Sequence, residues 1–425
     1  MARVIPPPSP LRPVCMLVHA YYEEDSRVRR EAESLVARGR PVDVFALRRP
    51  GLPAEEELEG VRLRRLDVQR HQGAGLGTYL REYLAFLVRA GWSASGSHRR
   101  RHYGAVIVHT LPDFLVLAAL PLRIVGVPTV IDLHEAMPEF FRMRFPRASN
   151  PVVHRLLLVQ ERLSIGLATA AMTVNDALAA RLVSLGVRPE KVTVILNSPS
   201  LERFDAARQP TRAFMADGKL RLVYAGAVTP IYELEIVIEA LALLRKRRPH
   251  LTVQLEIFGR GDAEAAFGQR ARDRDLAGRV TFHGRIPLED VPAAIAAADI
   301  GVAPTRRDPF TDFSLSTKIF EYGAMLRPVV ASRLPMVERM FPVGTVTTYE
   351  PGDPESLAVA ILGLVDSPAA REERIERTFA RVKALSWEGE ADRLTALIGR
   401  VAGDALSSPE SPGPQAGPAP RSEGQ

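Results

Sequence analysis

Short runs of β-branched and apolar residues alternate along this chain with longer stretches of helical period, and the alternation starts twice. Such a chain is confined to βαβ units around mostly parallel sheets, because each parallel strand must be reached by a crossover. The first series predicts strands over residues 14–19, 42–47, 61–66, 105–109, 129–132, 171–174 and 192–195. Helices are predicted over 26–38, ending at Gly39, and over 79–90. A second series opens after Ser198-Pro199-Ser200, with strands over 220–225, 252–258, 280–283, 300–304 and 329–331. Its helices fall at 233–245, 288–297 and 318–325. The expected organisation is α/β with two domains, residues 1–200 (1–13 flexible) and 201–385. A last helix over 386–402 precedes a tail, 403–425, in which 16 of 23 residues are Gly, Pro, Ser or Ala. That tail is too poor in apolar residues to fold and is expected to be disordered.

Composition narrows the class. With 46% hydrophobic and 25% charged residues the chain reads as globular. The single cysteine, Cys15, excludes an internal disulfide and a multi-cysteine zinc site. The most apolar stretch, 114–131, is interrupted by Pro121, Arg123, Gly126 and Pro128, so it does not read as a membrane span. No signal peptide is legible, and the expected location is cytoplasmic. Residues 1–200 hold 27 Lys+Arg against 19 Asp+Glu, while the remainder holds 29 against 31. The basic first half suits an anionic partner or is simply a solvated arginine surface.

Open α/β sheets bind ligands beyond the carboxyl ends of their strands. The residues to weigh first are therefore Gly226, Gly259, Gly284-Arg285 and Pro304-Thr305-Arg306-Arg307. The richest stretch is Ser314-Leu315-Ser316-Thr317-Lys318-Ile319-Phe320-Glu321-Tyr322. Small hydroxyl residues lead into a helix with Lys318 in its first turn, where it is expected to be partly exposed. Free N–H groups and the positive helix end make such a start an anion site. Glu321, three residues on, shares a helical face with Lys318 and suits two sugar hydroxyls. The pattern describes a nucleotide site, and equally an N-capped helix with a Lys–Glu pair.

The stretch Lys318-Ile319-Phe320-Glu321-Tyr322-Gly323-Ala324-Met325, followed by Arg327-Pro328-Val329-Val330-Ala331-Ser332, resembles the C-terminal motif of the family-4 retaining glycosyltransferases. Asp25-Ser26-Arg27-Val28-Arg29-Arg30-Glu31-Ala32, Val108-His109 and Asp132-Leu133-His134-Glu135 resemble that family's N-domain motifs. Val223-Tyr224-Ala225-Gly226 and Ala298-Asp299-Ile300-Gly301-Val302-Ala303-Pro304 resemble its donor domain. The resemblance covers residues 14–400. It implies a GT-B fold, two Rossmann-like domains facing across a cleft, with the last helix returning to the first domain. It implies transfer of a sugar from a nucleotide-diphosphate sugar to an acceptor hydroxyl, with retention. By that resemblance Glu321 binds the ribose, and Lys318 with the backbone of Ser314, Leu315, Ser316 and Thr317 holds the pyrophosphate. Arg285 and Ile286 contact the base, Gly226, Thr229 and Gly259 line the donor site, and His109 and His134 face the donor sugar or acceptor. Lys318, His109 and His134 are the catalytic candidates.

Three departures stand out. Phe313 replaces the first of the two Glu common in the family. Ala227 and Tyr232 replace its usual Arg and Lys, leaving Arg306 and Arg307 as candidate replacements. His19-Ala20-Tyr21-Tyr22 stands in place of a Gly-rich loop, and Gly73-Ala74-Gly75-Leu76-Gly77 reads as a flexible loop. His19 and His283 are weaker candidates, and Glu135 is placed to orient His134 or meet the acceptor. Asp273-Arg274-Asp275 reads as solvated charge, so no metal site and no cofactor beyond the donor is expected. The expected partners are the nucleotide-sugar donor and a glycan or lipid-linked glycan acceptor, with no nucleic acid. The helix around 79–89 is a candidate for peripheral contact with an anionic membrane at the inner face of the cell membrane. Two other classes stay open: a UDP-sugar 2-epimerase-like enzyme and a non-catalytic sugar-nucleotide-binding scaffold.

Overall fold

The computed structural model describes residues 11–69, 75–210 and 212–404. Most of the N-terminal arm, Gly73-Ala74 and the tail from 405 lie outside the described residues. The first sheet contains β1 (Val14–Leu17), β2 (Val42–Leu47), β3 (Glu55–Leu58), β4 (Val61–Leu66), β5 (Ala105–His109), β6 (Thr129–Leu133), β7 (Ala170–Thr173) and β8 (Val192–Val194). Its order is β3-β4-β2-β1-β5-β6-β7-β8, and only β3 runs antiparallel to its neighbour. The second sheet contains β9 (Lys219–Ala225), β10 (Thr252–Phe258), β11 (Val280–Gly284), β12 (Ile300–Ala303), β13 (Val329–Ser332) and β14 (Thr347–Tyr349). It is all parallel, ordered β11-β10-β9-β12-β13-β14. The central strands are covered on both faces, so β1 and β2 are buried along their whole length.

Strand order reverses direction between β1 and β5 in the first sheet and between β9 and β12 in the second. Crevices at such reversals open beyond the strand ends, and the two crevices face each other here. The helix Trp387–Ala402 crosses back to the first domain, where Trp387, Leu394 and Ile398 join the core formed by Val14, Met16 and Val28. Its entry is pinned by the Trp387 indole, which donates to Ser34 Oγ at 2.6 Å.

The predicted helix over 79–90 runs much further, from Leu76 to Arg101. The helices Met137–Arg144 and Pro151–Leu167 and the strands β3 and β14 add to the predicted elements. No helix among the described residues is long and apolar enough to cross a membrane.

Candidate active site

The helix Thr317–Ala324 sets the second domain's side of the gap. Ile319, Phe320, Tyr322 and Ala324 are buried, which turns Lys318 and Glu321 to the remaining face. Tyr322 fixes the helix to the sheet: its hydroxyl accepts from the Ala225 N–H at 3.0 Å. A Cβ on Gly301 would lie 2.2 Å from the Tyr322 ring, so only glycine lets β12 pass beneath it. The helix starts at Ser316 without a side-chain cap. Ser316 Oγ is buried with no hydrogen-bond partner among the described residues. Such a hydroxyl is left to partner water or a polar ligand.

Lys318 is only 7% exposed, contrary to the expectation of partial exposure. Its ammonium lies 4.1 Å from the centre of the Tyr232 ring and 5.1 Å from that of Tyr224. Burial pulls its pKa down to about 8, although Glu321 opposes the shift. Burial also pushes the Glu321 carboxyl up, against Lys318 and Arg30. Gly226 lies under the Lys318 side chain, where a Cβ would come 2.3 Å from Cε. The loops after β9 and β10 stack backbone on backbone, with the Gly226 N–H donating to the Phe258 carbonyl at 2.8 Å. A Cβ on Gly259 would lie 1.7 Å from the Gly226 carbonyl oxygen, so this approach needs glycine.

The first domain contributes a buried charge cluster. His109 and Asp132 are cross-strand neighbours at the ends of β5 and β6. Arg27, from the helix Ser26–Ala37, holds both Asp132 oxygens at 2.8 and 3.1 Å and lies 2.9 Å from Glu31. His134 Nε2 stands 2.5 Å and His109 Nδ1 3.0 Å from Asp132 Oδ2. Burial alone would raise Asp132, but Arg27 and His134 hold its carboxyl well below the usual range. Burial pushes the Glu31 carboxyl up in spite of Arg27. Burial would lower His134, yet Asp132 outweighs it and the imidazole pKa rises. His109, Asp132 and His134 are close enough to hold a cation. The Asp132 oxygens are already taken by a guanidinium and two imidazoles, so the cluster is organised as a hydrogen-bonded set.

Two cavities open between the domains. One, of about 540 Å³, is lined by Ser314 to Lys318 on one side and by Arg27, His134 and Glu135 on the other. The second, of about 1100 Å³, is lined by Gly226, Gly259, Arg285, Ile286 and Glu321, facing Arg29 and Arg30. They share Glu24, Ser26, Arg285, Thr317 and Lys318. Arg285 pairs across the gap with Glu24, and Arg29 with Glu289 at 3.2 Å.

Several expectations are corrected. His109 does not face the gap: it is wholly buried behind Asp132 and lines neither cavity. Thr229 also lines neither cavity, standing at the start of the turn Pro230–Tyr232. Arg306 is held by Glu235 at 3.2 Å and Arg307 faces Asp312, both outside the cavities, so neither replaces the absent cations. Phe313 instead serves the domain contact, its carbonyl accepting from Asn175 Nδ2 at 2.8 Å. His19 packs edge-on against Tyr83, and His283 bonds Glu256 at 2.6 Å. Arg27, Asp132 and Arg30 were not singled out as site residues. The motifs that hold them were visible, but the contact between Arg27 and Asp132 spans 105 residues.

A model of the family "Glycosyl transferase 4-like domain" matches residues 25–198, and one of "Glycosyl transferases group 1" matches residues 219–367. The chain belongs to the group 1 glycosyltransferases. This glycosyltransferase is 28% identical over 353 residues to the alpha-D-kanosaminyltransferase of Streptomyces kanamyceticus, covering 80% of this chain and 84% of that one. Its fold matches sucrose-phosphate synthase of Thermosynechococcus elongatus with a TM-score of 0.74 at 19% identity, over 93% of this chain and 100% of the other. It also matches Anabaena HepE in complex with UDP and glucose, with a TM-score of 0.68 at 15% identity, over 92% and 100% of the two chains. The fold is therefore GT-B.

Proposed function

We propose that this enzyme moves a sugar from a nucleoside-diphosphate sugar to a hydroxyl of a glycan or lipid-linked glycan, with retention and without a metal. The observation that carries the reading is the helix start at Ser316–Lys318, which no side chain caps. A buried hydroxyl, a buried ammonium and a positive helix end converge there on one gap. Leaving of the nucleoside diphosphate is the hard step, since charge builds on the departing oxygens while the sugar turns cationic. Lys318 and the helix start supply fixed positive charge at that place. Glu321, on the same face, suits the ribose hydroxyls. Arg285 and Ile286 lie in the wall where a base would rest. Arg30, drawn down to about 10 by burial and then by Arg27, stands across the gap as a cation in place of those absent at Ala227 and Tyr232. His134 and Glu135 face the region a sugar would fill. Of the carboxylates there, Glu135 stands beside His134, and burial pushes its pKa up, which disfavours the charged form a nucleophile needs and favours the donor phosphate as acceptor of the incoming proton.

The test is a thermal-shift screen against UDP-, GDP-, dTDP- and ADP-sugars, followed by mass spectrometry of transfer with and without chelator. One donor should raise the unfolding midpoint, and transfer should survive chelation. Donor binding with epimerisation and no acceptor would support the epimerase class. Donor binding with no reaction on any acceptor would support a scaffold. Failure of every nucleotide sugar to bind would sink the reading.

A further inference from the structure

The first domain carries a second feature that the donor site does not use. Three neighbouring elements cover one face of its sheet: the helix Leu76–Arg101, the segment Asp113–Ile124 and the helix Pro151–Leu167. Their inner sides are ordinary core, with Phe86, Ala90, Leu115, Val116 and Ile165 against the strands. Their outer sides are apolar too. Leu80, Leu84, Val88 and Trp92 follow one another at four-residue steps along the first helix. Leu117, Leu120, Ile124 and Val125 continue across the middle. Val152, Leu156, Val159 and Leu163 form a stripe on the last helix. Exposure runs from 38% at Leu120 to 84% at Trp92. Scattered apolar residues on a surface mean little, but a patch spanning three elements marks an interaction site.

Charge decides what covers it. The three elements contain three carboxylates, Glu82, Asp113 and Glu161, and all are buried. Their exposed charges are cationic: Arg81, Arg89, Arg99, Arg100, Arg155 and Arg162. A second copy of the chain would bring this arginine set against itself. An anionic bilayer neutralises it and takes the apolar stripes without needing shape complementarity. An indole as open as Trp92 belongs at headgroup depth.

We propose that this face seats the enzyme on an anionic lipid bilayer, Leu84, Val88, Leu156 and Leu163 entering the acyl boundary and Trp92 resting at headgroup level within an arginine rim. Aromatic rings lead from the patch toward the catalytic gap: Tyr79 is 5.9 Å from Phe145, and Phe145 is 5.2 Å from Phe141. Phe141 lies in the helix that starts beside Ala136, which lines the smaller cavity. Delivery of a lipid-linked acceptor along that path rests on the proposed function, whereas the seating itself needs nothing from the donor site.

The experiment uses the full chain with vesicles of phosphatidylcholine alone or with about one third phosphatidylglycerol. The chain has two tryptophans, and Trp387 is only 3% exposed, so Trp92 reports the face. Sedimentation with the anionic vesicles, weakened by salt, and a blue shift of emission that Trp92→Phe removes are expected. Leu84→Glu with Val88→Glu, and separately Leu156→Glu with Leu163→Glu, should each weaken binding about tenfold or more. Their unfolding midpoints and nucleotide-induced shifts should stay as in the parent. No binding to anionic vesicles, or binding that both double variants retain, overturns the proposal. So does a self-association that the same substitutions abolish without any vesicle binding. Loss of nucleotide response in the parent would instead count against the donor reading alone.

Discussion

The Lys318 ammonium lies 4.1 Å from the centre of the Tyr232 ring, so a residue that replaces a cation usual in this family holds the one lysine at the helix start. The aromatic face stabilises the charge but does not replace its lost hydration. The lysine pKa, about 8, therefore places the ammonium within reach of deprotonation in the free enzyme. A bound diphosphate would raise it again. Donor affinity should fall as pH rises through about 8, and donor binding above that pH should take up a proton. Calorimetry in two buffers of different ionisation enthalpy measures that uptake, and Lys318→Arg should abolish it. The depressed pKa also means that the charged lysine opposes folding below its ordinary value. Lys318→Met should raise stability at pH 7 by up to about 3 kcal/mol while removing donor binding. Unchanged donor affinity in this variant would exclude Lys318 from the site.

Glu321 has a different task and a different signature. Its carboxyl is drawn upward by burial and restrained by Lys318 and Arg30. If it holds two ribose hydroxyls, Glu321→Ala removes charged hydrogen bonds made equally before and during reaction. Donor Kd should then rise about 10- to 100-fold with kcat little changed. A fall in kcat at constant Kd would move Glu321 from binding to chemistry.

The same substitution should have opposite effects at two glycines of the donor domain. Gly259→Ala puts a methyl 1.7 Å from the Gly226 carbonyl oxygen, where only backbone can give way. It should cost about 3 kcal/mol or more in denaturant unfolding. Gly268, inside the helix Glu264–Asp273, has nothing closer to a new methyl than Arg272 at 3.7 Å. Gly268→Ala should gain about 0.5–1 kcal/mol through helix propensity. A Gly259→Ala variant as stable as the parent would show that the stacked loops do not depend on glycine.

Two parallel sheets, the donor helix and the last helix were legible because buried strands and amphipathic helices carry strong periodicity, whereas the return of that helix to the first domain followed only from the family resemblance. β3 was not, since Glu55-Glu56-Glu57-Leu58 has no strand pattern. It forms because Glu55 and Glu57 stand opposite Arg64 and Arg62 on β4, as oppositely charged cross-strand pairs. The helix Pro151–Leu167 gives a blurred period because it is apolar on both faces, one of which meets the core. Motifs placed Lys318, Glu321 and His134 beside the gap, since each follows or begins an element at a strand end. They misplaced His109, because a residue at a strand's end can turn under the neighbouring strand as readily as into the crevice. The pairing of Arg27 with Asp132 is a long-range contact that no local pattern encodes.

That pairing carries the last prediction. Arg27→Met leaves the Asp132 charge buried without its main partner, and removal of one member of such a pair costs about 3–5 kcal/mol. Asp132→Asn is milder in charge but deprives His134 of the group that raises its pKa. The His134 imidazole should therefore titrate lower in Asp132→Asn than in the parent, followed by proton NMR of the ring. The linkage has a defined window. Asp132 is depressed, so its contribution is present above the ordinary carboxylate range and is lost as pH falls through its folded value. His134 is raised, so its contribution is full below about 6.5 and is lost as pH rises through its folded value. The stability gap between the parent and Asp132→Asn should be widest between those limits and narrow on both sides. A gap independent of pH would mean that Asp132 acts through packing alone and does not set the protonation of His134.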